Sequence, residues 1–107
     1  MSEFKNLYET ILQRKEEPQE GSYTCYLFKQ GLDKILKKLG EECAETIIAA
    51  KNGEREELIN ELADLAFHAA VLMAQQGVSP DDLAAELNRR AQKSSNLKQF
   101  HNVDKNT

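Results

Sequence analysis

The stretch from Leu32 to Ala74 constrains the fold most, because it contains two amphipathic helical segments joined by Asn52-Gly53. Each segment carries a pair of acids separated by two residues. The pairs are Glu42 with Glu45 and Glu61 with Asp64. At about 100° per residue, the two acids of a pair lie about 60° apart at the edge of an apolar arc. Packed as an antiparallel hairpin, the two helices would bring four carboxylates into one cleft.

Apolar residues recur at helical spacing beside both acid pairs. On the first segment they are Leu32, Leu36, Leu39, Cys43, Ile47 and Ala50, and on the second they are Leu58, Leu62, Leu65, Ala66, Ala69 and Met73. We expect these arcs to be buried, with Cys43 packed as a small apolar side chain. Because a chain of 107 residues buries only a modest core, we expect a second copy to cover the long arc of the second helix.

The negative charges of the acids beside these arcs require a compensating positive charge. Between Leu62 and Ala74 the only polar side chains are Asp64 and His68. Carboxylates beside such an apolar surface are costly to ionise and repel one another. A hard divalent cation, Mg²⁺ or alternatively Mn²⁺, is the simplest compensating charge. The predicted metal ligands are Glu42, Glu45, Glu61 and Asp64. For His68 three roles stay open: a ligand, a partner of a ligand, or a buried histidine bonded to a neighbour.

Composition and charge favour one globular domain and exclude several classes of function. The chain is 40% hydrophobic and 30% charged, and its formal net charge of −4 gives no field that attracts nucleic acid. The longest apolar run, Ala69 to Ala74, is too short to cross a membrane. The polar N-terminus is unlike a signal peptide, so we expect a cytoplasmic protein with reduced cysteines.

The remaining patterns predict an all-α fold. A helix runs through Phe4, Leu7 and Ile11 until Pro18, and a last helix starts at Ser79-Pro80 and ends in basic residues. Its Arg89 and Arg90 either bind phosphate across an oligomer interface or favour the helix C-terminus. We therefore predict a small antiparallel helical bundle with two central acid-bearing helices, assembled as a homo-oligomer. Residues 1–93 form the domain, and residues 94–107 form a polar, weakly ordered tail.

Hydroxyl and aromatic side chains dominate residues 21–28. We expect an ordered loop here that covers the cleft, followed by a central helix over residues 28–51. The hydroxyls would cap that helix or donate to a phosphate, and the aromatic rings would pack under a base, unless the loop is only structural. The side chains concerned are Ser22, Thr24, Tyr23 and Tyr26.

Three lysines precede the first acid pair, at Lys34, Lys37 and Lys38. One interpretation is a solvated face of ion pairs. However, Lys38 lies angularly between Glu42 and Glu45, so it would also reach a phosphate that the metal holds.

Three segments flanking the acids carry a resemblance to a known family. They read Gly21-Ser-Tyr-Thr-x-Tyr-Leu-Phe28, Gly31-Leu-Asp-Lys-Ile-Leu-Lys-Lys38 and Gly40-Glu-Glu42. The acidic signature Glu42-x-x-Glu45 followed after fifteen residues by Glu61-x-x-Asp64 resembles that of the MazG-like all-α nucleotide pyrophosphatases. With the three flanking segments the chain resembles, among these, the phosphoribosyl-ATP pyrophosphatase family of histidine biosynthesis. The resemblance extends roughly from Leu7 to Arg90.

The resemblance implies an activity. Family members cleave the α–β phosphoanhydride bond of phosphoribosyl-ATP to give phosphoribosyl-AMP and pyrophosphate, use Mg²⁺ and form homo-oligomers, here a homodimer or a dimer of dimers. A separate cyclohydrolase would take the next step. The catalytic residues would be Glu41, Glu42, Glu45, Glu61, Asp64 and Lys38, and the substrate-binding residues Lys34, Lys38, Ser22, Tyr23 and Thr24. Glu41 would serve as an extra ligand or base, and the lysines would stabilise the leaving pyrophosphate.

Three alternatives compete with this hypothesis. One is a house-cleaning pyrophosphatase of the same MazG-like class that acts on other nucleoside triphosphates. A second is a di-iron carboxylate bundle, a class that uses Glu-x-x-His motifs, which this sequence lacks. The third is a helical interaction module without catalysis, which leaves the acids beside the apolar arc of the second helix unexplained.

Overall fold

Five helices make up residues 2–93, the part of the chain that the computed structural model describes. They are α1 (Ser2–Glu16), α2 (Tyr23–Gln30), α3 (Leu32–Lys51), α4 (Arg55–Gln76) and α5 (Pro80–Lys93). The described residues contain no strand, so the all-α prediction is confirmed. The tail predicted at residues 94–107 lies outside the described part.

Helices α3 and α4 form the central hairpin around which the other helices are arranged. The turn between them depends on Gly53, whose φ of +70° suits glycine. Helix α1 packs on α4, α2 packs on α1 and α3 and touches α4, and α5 packs on α1. The acid pairs therefore lie on the two helices with the most extensive mutual contact, as the sequence predicts.

One hydrophobic core joins the first four helices. Its buried members are Tyr8, Ile11, Leu27, Ile35, Ala70, Val71 and Ala74. The α4 residues of this set come from the C-terminal half of that helix, and Ile35 comes from the N-terminal part of α3. The core thus closes one end of the hairpin, and the acids lie farther along the same seam. Within the described residues, no helix combines the length and apolarity that a membrane crossing requires.

The prediction of a loop at residues 21–28 is wrong, because most of this segment forms helix α2. Ser22 caps this helix by accepting a hydrogen bond from the Cys25 backbone N–H at 3.2 Å. Leu27 is completely buried, so tertiary packing overrides the modest helix propensity of the aromatic and hydroxyl residues. The central helix begins at Leu32 rather than Phe28, because Gly31 has a non-helical backbone conformation, with φ +94° and ψ −176°.

The predicted burial of the α3 arc is also wrong for a single chain. Its members Leu36, Cys43, Ile47 and Ala50 are exposed. The side chains of α3 that are buried instead are Ile35, Glu42 and Ala49. The neighbouring helices cover only one side of α3, and that side includes an acid. On α4, Leu62 of the predicted arc is likewise exposed.

The last helix starts where the sequence predicts. The Ser79 backbone N–H donates to the Asp82 carboxylate at 2.9 Å, and the Asp82 N–H donates to Ser79 Oγ at 3.1 Å. Near the other end of α5, Arg89 and Arg90 both pair with Glu86 on their own helix.

The backbone at Gly31 leads to a test of how α2 is placed. Its φ and ψ fall in a region that is essentially restricted to glycine, although an added Cβ would meet no atom within 4 Å. We expect Gly31→Ala to lower the free energy of unfolding by about 1–3 kcal/mol in urea denaturation. Gln30→Ala, an exposed substitution one residue earlier, should change it by less than about 0.5 kcal/mol. Equal effects would show that the break between α2 and α3 does not depend on this conformation.

Candidate active site

A cluster of three carboxylates spans the seam between α3 and α4. Oxygen atoms of Glu42, Glu45 and Glu61 all lie within 4.8 Å of one another. Helical spacing aligns Glu42 with Glu45, and the antiparallel hairpin brings Glu61 opposite them. The structure thus brings together three of the four predicted metal ligands.

Two of these side chains are buried although they are acids. Glu42 is 7% exposed and Glu61 is 9% exposed, whereas Glu45 is exposed. Within the described part of the chain, Glu42 Oε2 and Glu61 Oε1 have no hydrogen-bond partner. Buried polar atoms are normally paired, and leaving one unpaired costs about 1–3 kcal/mol, or more for a charged group. A bound cation or bound protons would relieve this cost.

Burial and neighbouring acids make Glu61 a weaker acid than an exposed glutamate. Burial, followed by the neighbouring carboxyl groups of Glu57, Glu42 and Glu45, raises the pKa of Glu61 from 4.5 to about 8. Glu57 is a neighbour of Glu61 that the sequence analysis missed. It lies one helical turn before Glu61, so the same spacing argument, extended by one turn, would have identified it.

The fourth predicted ligand, Asp64, is not among the three clustered carboxylates. It lies on the turn of α4 after Glu61, and its backbone oxygen is 2.8 Å from His68 Nδ1. His68 is buried, and its Nε2 is 2.9 Å from the Tyr23 hydroxyl. Of the three roles considered for His68, the hydrogen bonds match a buried histidine bonded to its neighbours. The metal-binding role of Asp64 stays a prediction.

Lys38 lies at the rim of the cluster, and Lys34 contacts an aromatic ring of α2. Lys38 Nζ is 3.0 Å from Glu41 Oε1, which raises the pKa of Lys38 and lowers that of Glu41. The charge of Glu42 also acts on Lys38, so this ammonium group lies near the cluster as well as in a surface ion pair. Lys34 Nζ lies 5.9 Å from the centre of the Tyr26 ring.

Helix α2 brings aromatic rings toward the cluster. Tyr23 stacks between Tyr26 and Phe67, with centroid distances of 6.1 Å and 6.0 Å. The Ser22 hydroxyl caps the helix, and Thr24 is partly buried in its first turn. Of the predicted substrate-binding residues, Ser22, Tyr23 and Thr24 therefore lie at the start of α2, whereas Lys34 and Lys38 lie on α3, and their roles stay predictions.

The raised pKa of Glu61 leads to a test on metal-free protein. Between pH 4.5 and about pH 8 the unfolded chain loses a proton that folded Glu61 retains, so this group makes stability fall as pH rises. We expect Glu61→Gln to remove this contribution, so its melting temperature in chelator should fall less than that of the wild type between pH 5 and pH 8. Glu9→Gln, at an exposed position on α1, should keep the wild-type pH dependence. Parallel curves for Glu61→Gln and the wild type would contradict the raised pKa.

Comparison with known proteins shows the family to which this chain belongs. The family described as phosphoribosyl-ATP pyrophosphohydrolase matches residues 4–91. A phosphoribosyl-ATP pyrophosphatase of Pelotomaculum thermopropionicum is 56% identical over 91 residues, covering 85% of this chain and 93% of that protein. The protein of the same name from Listeria welshimeri is 54% identical over 99 residues, covering 92% of this chain and 95% of that protein. The predicted resemblance is confirmed, and the chain belongs to the phosphoribosyl-ATP pyrophosphohydrolase family.

Proposed function

We propose that this protein hydrolyses the α–β phosphoanhydride bond of phosphoribosyl-ATP to phosphoribosyl-AMP and pyrophosphate, in histidine biosynthesis. The observation that carries the proposal is the carboxylate cluster at the α3–α4 seam in a chain of this family. Enzymes of phosphoryl transfer act mainly by positioning their substrate and neutralising its charge, and a cluster of carboxylates can hold the cation that this requires. A cytoplasmic location and a separate cyclohydrolase for the next step remain predictions.

The cation that we propose is Mg²⁺, with Mn²⁺ as a substitute. The donor set supports this proposal, because carboxylate oxygens suit hard divalent ions and two buried oxygens have no partner in the described structure. Glu42, Glu45 and Glu61 would hold the ion, and Asp64 is proposed to join them. When bound, Mg²⁺ neutralises the charge that develops on the phosphate oxygens.

The residues at the rim suggest how the anhydride is oriented. We propose that Lys38 binds oxygens of the leaving pyrophosphate, with Lys34 as a second cation farther out. Glu41 is ionised at neutral pH, since Lys38 lowers its pKa, and it would accept a hydrogen bond from the attacking water. These side chains would bind, orient and polarise without forming a covalent intermediate.

The nucleotide would be recognised by helix α2. The rings of Tyr23 and Tyr26 are partly exposed and stacked, and an adenine base can pack against such a surface. The hydroxyls of Ser22 and Thr24 lie at the N-terminus of α2, and the N-terminus of a helix favours an anion. We propose that this end of the helix binds a phosphate of the substrate.

Self-association is proposed from the exposed apolar face of the central hairpin. Ile47 is 68% exposed, and other large apolar side chains are exposed on the same two helices. They are Leu36, Ile48, Ile59 and Leu62. Several large apolar side chains exposed on neighbouring helices of a small domain indicate a protein interface. We propose that a second copy of this chain covers the face, which agrees with the apolar arcs in the sequence.

The proposed interface has a direct test. Ile47→Asp should halve the mass measured by multi-angle light scattering, because it would place an unpaired charge in an apolar contact. Leu87→Asp, at an exposed apolar position on α5, should leave the mass unchanged. If Leu87→Asp dissociates the protein and Ile47→Asp does not, the interface involves α5 and not the central hairpin.

The proposed activity is tested by Glu45→Gln, which removes a charge from the cluster at its exposed member. We expect helical circular dichroism to be unchanged and the Mg²⁺-dependent kcat/KM for phosphoribosyl-ATP to fall at least about a hundredfold. Mn²⁺ binding, measured by calorimetry without substrate, should weaken by about tenfold or more. Pyrophosphate release from dUTP and dCTP should be measured in parallel.

The matched control is Glu16→Gln, an exposed acid at the end of α1. It should retain both turnover and Mn²⁺ affinity. Wild-type release of pyrophosphate from dUTP or dCTP but not from phosphoribosyl-ATP would favour a house-cleaning pyrophosphatase. Full turnover by Glu45→Gln would remove this acid from the mechanism.

A further inference from the structure

His68 is a buried side chain that the proposed mechanism does not use, and both of its ring nitrogens are bonded. It is 5% exposed. Its Nδ1 lies 2.8 Å from the Asp64 backbone oxygen, and its Nε2 lies 2.9 Å from the Tyr23 hydroxyl. A carbonyl oxygen can only accept, so Nδ1 carries a hydrogen. In the neutral ring Nε2 is then an acceptor, and the Tyr23 hydroxyl donates to it.

Aromatic contacts restrict the orientation of both rings. Phe67 meets the His68 ring edge to face at 5.0 Å, and the Tyr23 ring meets it at 5.7 Å with an interplanar angle of 76°. Tyr23 also stacks on Phe67 at 6.0 Å. The Tyr23 phenol is therefore held by one hydrogen bond and one stacked ring of α4, while its side chain remains 45% exposed.

The Tyr23–His68 contact is a principal link between α2 and α4. In the described part of the chain it is the hydrogen bond that joins these two helices. The helix that begins with Tyr23 also packs on α3, which carries Lys38 and Glu42. A change in the position of Tyr23 would therefore shift the N-terminal end of α2, of which it is the first residue.

We propose that His68 is a positioning residue that orients Tyr23, and with it the N-terminus of α2, for substrate binding. The bond at Nε2 fixes the phenol, and the bond at Nδ1 fixes the imidazole ring on the turn of α4 that carries Asp64. This inference rests on the proposed function, because it assigns to Tyr23 a contact with the nucleotide. His68 acts through Tyr23 and does not touch the reacting atoms, so it should affect KM more than kcat.

The test compares variants that preserve different hydrogen bonds of the His68 side chain. In His68→Gln the amide oxygen can take the place of Nε2 as acceptor, whereas the shorter His68→Asn can preserve only the bond at Nδ1. We expect His68→Asn and Tyr23→Phe each to raise KM for phosphoribosyl-ATP about tenfold, the loss expected for one hydrogen bond, with kcat changed less than about twofold. The double variant should be no worse than either single one, and His68→Gln should recover most of the wild-type KM.

Two further measurements separate this role from a purely structural one. Tyr26→Phe changes the neighbouring stacked tyrosine, so its effect on KM should add to that of His68→Asn. Mn²⁺ affinity without substrate should stay within about twofold of wild type in His68→Asn. Additive effects of Tyr23→Phe and His68→Asn, or a loss of kcat with KM unchanged, would overturn the inference. If His68→Asn does not fold, a wild-type KM for Tyr23→Phe overturns it equally.

A failure of the proposed function would give different results from a failure of the inference about His68. NMR of the histidine ring nitrogens in the full chain should show hydrogen on Nδ1 of His68, and Tyr23→Phe should shift the Nε2 signal. A wild-type protein that shows these signals but does not hydrolyse phosphoribosyl-ATP would lack the proposed function while retaining the contact. Hydrogen on Nε2 in place of Nδ1 would overturn the inference whatever the activity.

Discussion

Repulsion between carboxylates in a partly buried seam is the constraint on which the rest of this structure depends. Glu42 and Glu61 face each other across α3 and α4 with oxygens that have no partner among the described residues. In a fold of this size, such a cluster destabilises the folded state unless a cation or protons bind to it. The remaining helices pack around the hairpin that carries this cluster. Helix α1 supplies much of the core at the far end of the hairpin, and α2 brings aromatic and hydroxyl groups to its rim.

The central hairpin and most of its acids could be predicted from the sequence, because both depend on local periodicity. Helical spacing alone puts Glu42 and Glu45 on one side of a helix, and Asn52-Gly53 indicates the turn that brings Glu61 opposite. The N-cap at Ser79 follows from equally local chemistry. For these features tertiary contacts agree with the local pattern and do not override it.

The features that the sequence did not predict depend on tertiary contacts, that is, on which helix or second copy covers a given face of another helix. Residues 23–30 have side chains of modest helix propensity, yet they form α2, which has Leu27 in the core. An apolar arc in the sequence does not reveal whether its own chain covers it, and Ile47 is exposed in a single copy. The Tyr23–His68 bond joins residues far apart in sequence, so periodicity contains no signal for it.

The short turn between α3 and α4 also determines when the carboxylates meet during folding. The Glu54 backbone N–H reaches back to the Ala49 oxygen at 3.3 Å, so very little chain has to close for the hairpin to form. Because contacts of short sequence separation tend to form early, we expect the acids to meet before α1 and α2 have docked. Repulsion then opposes the first step of assembly and not only the last. Dissolved salt, acid or a divalent ion should accordingly speed up folding itself, in addition to stabilising the finished protein.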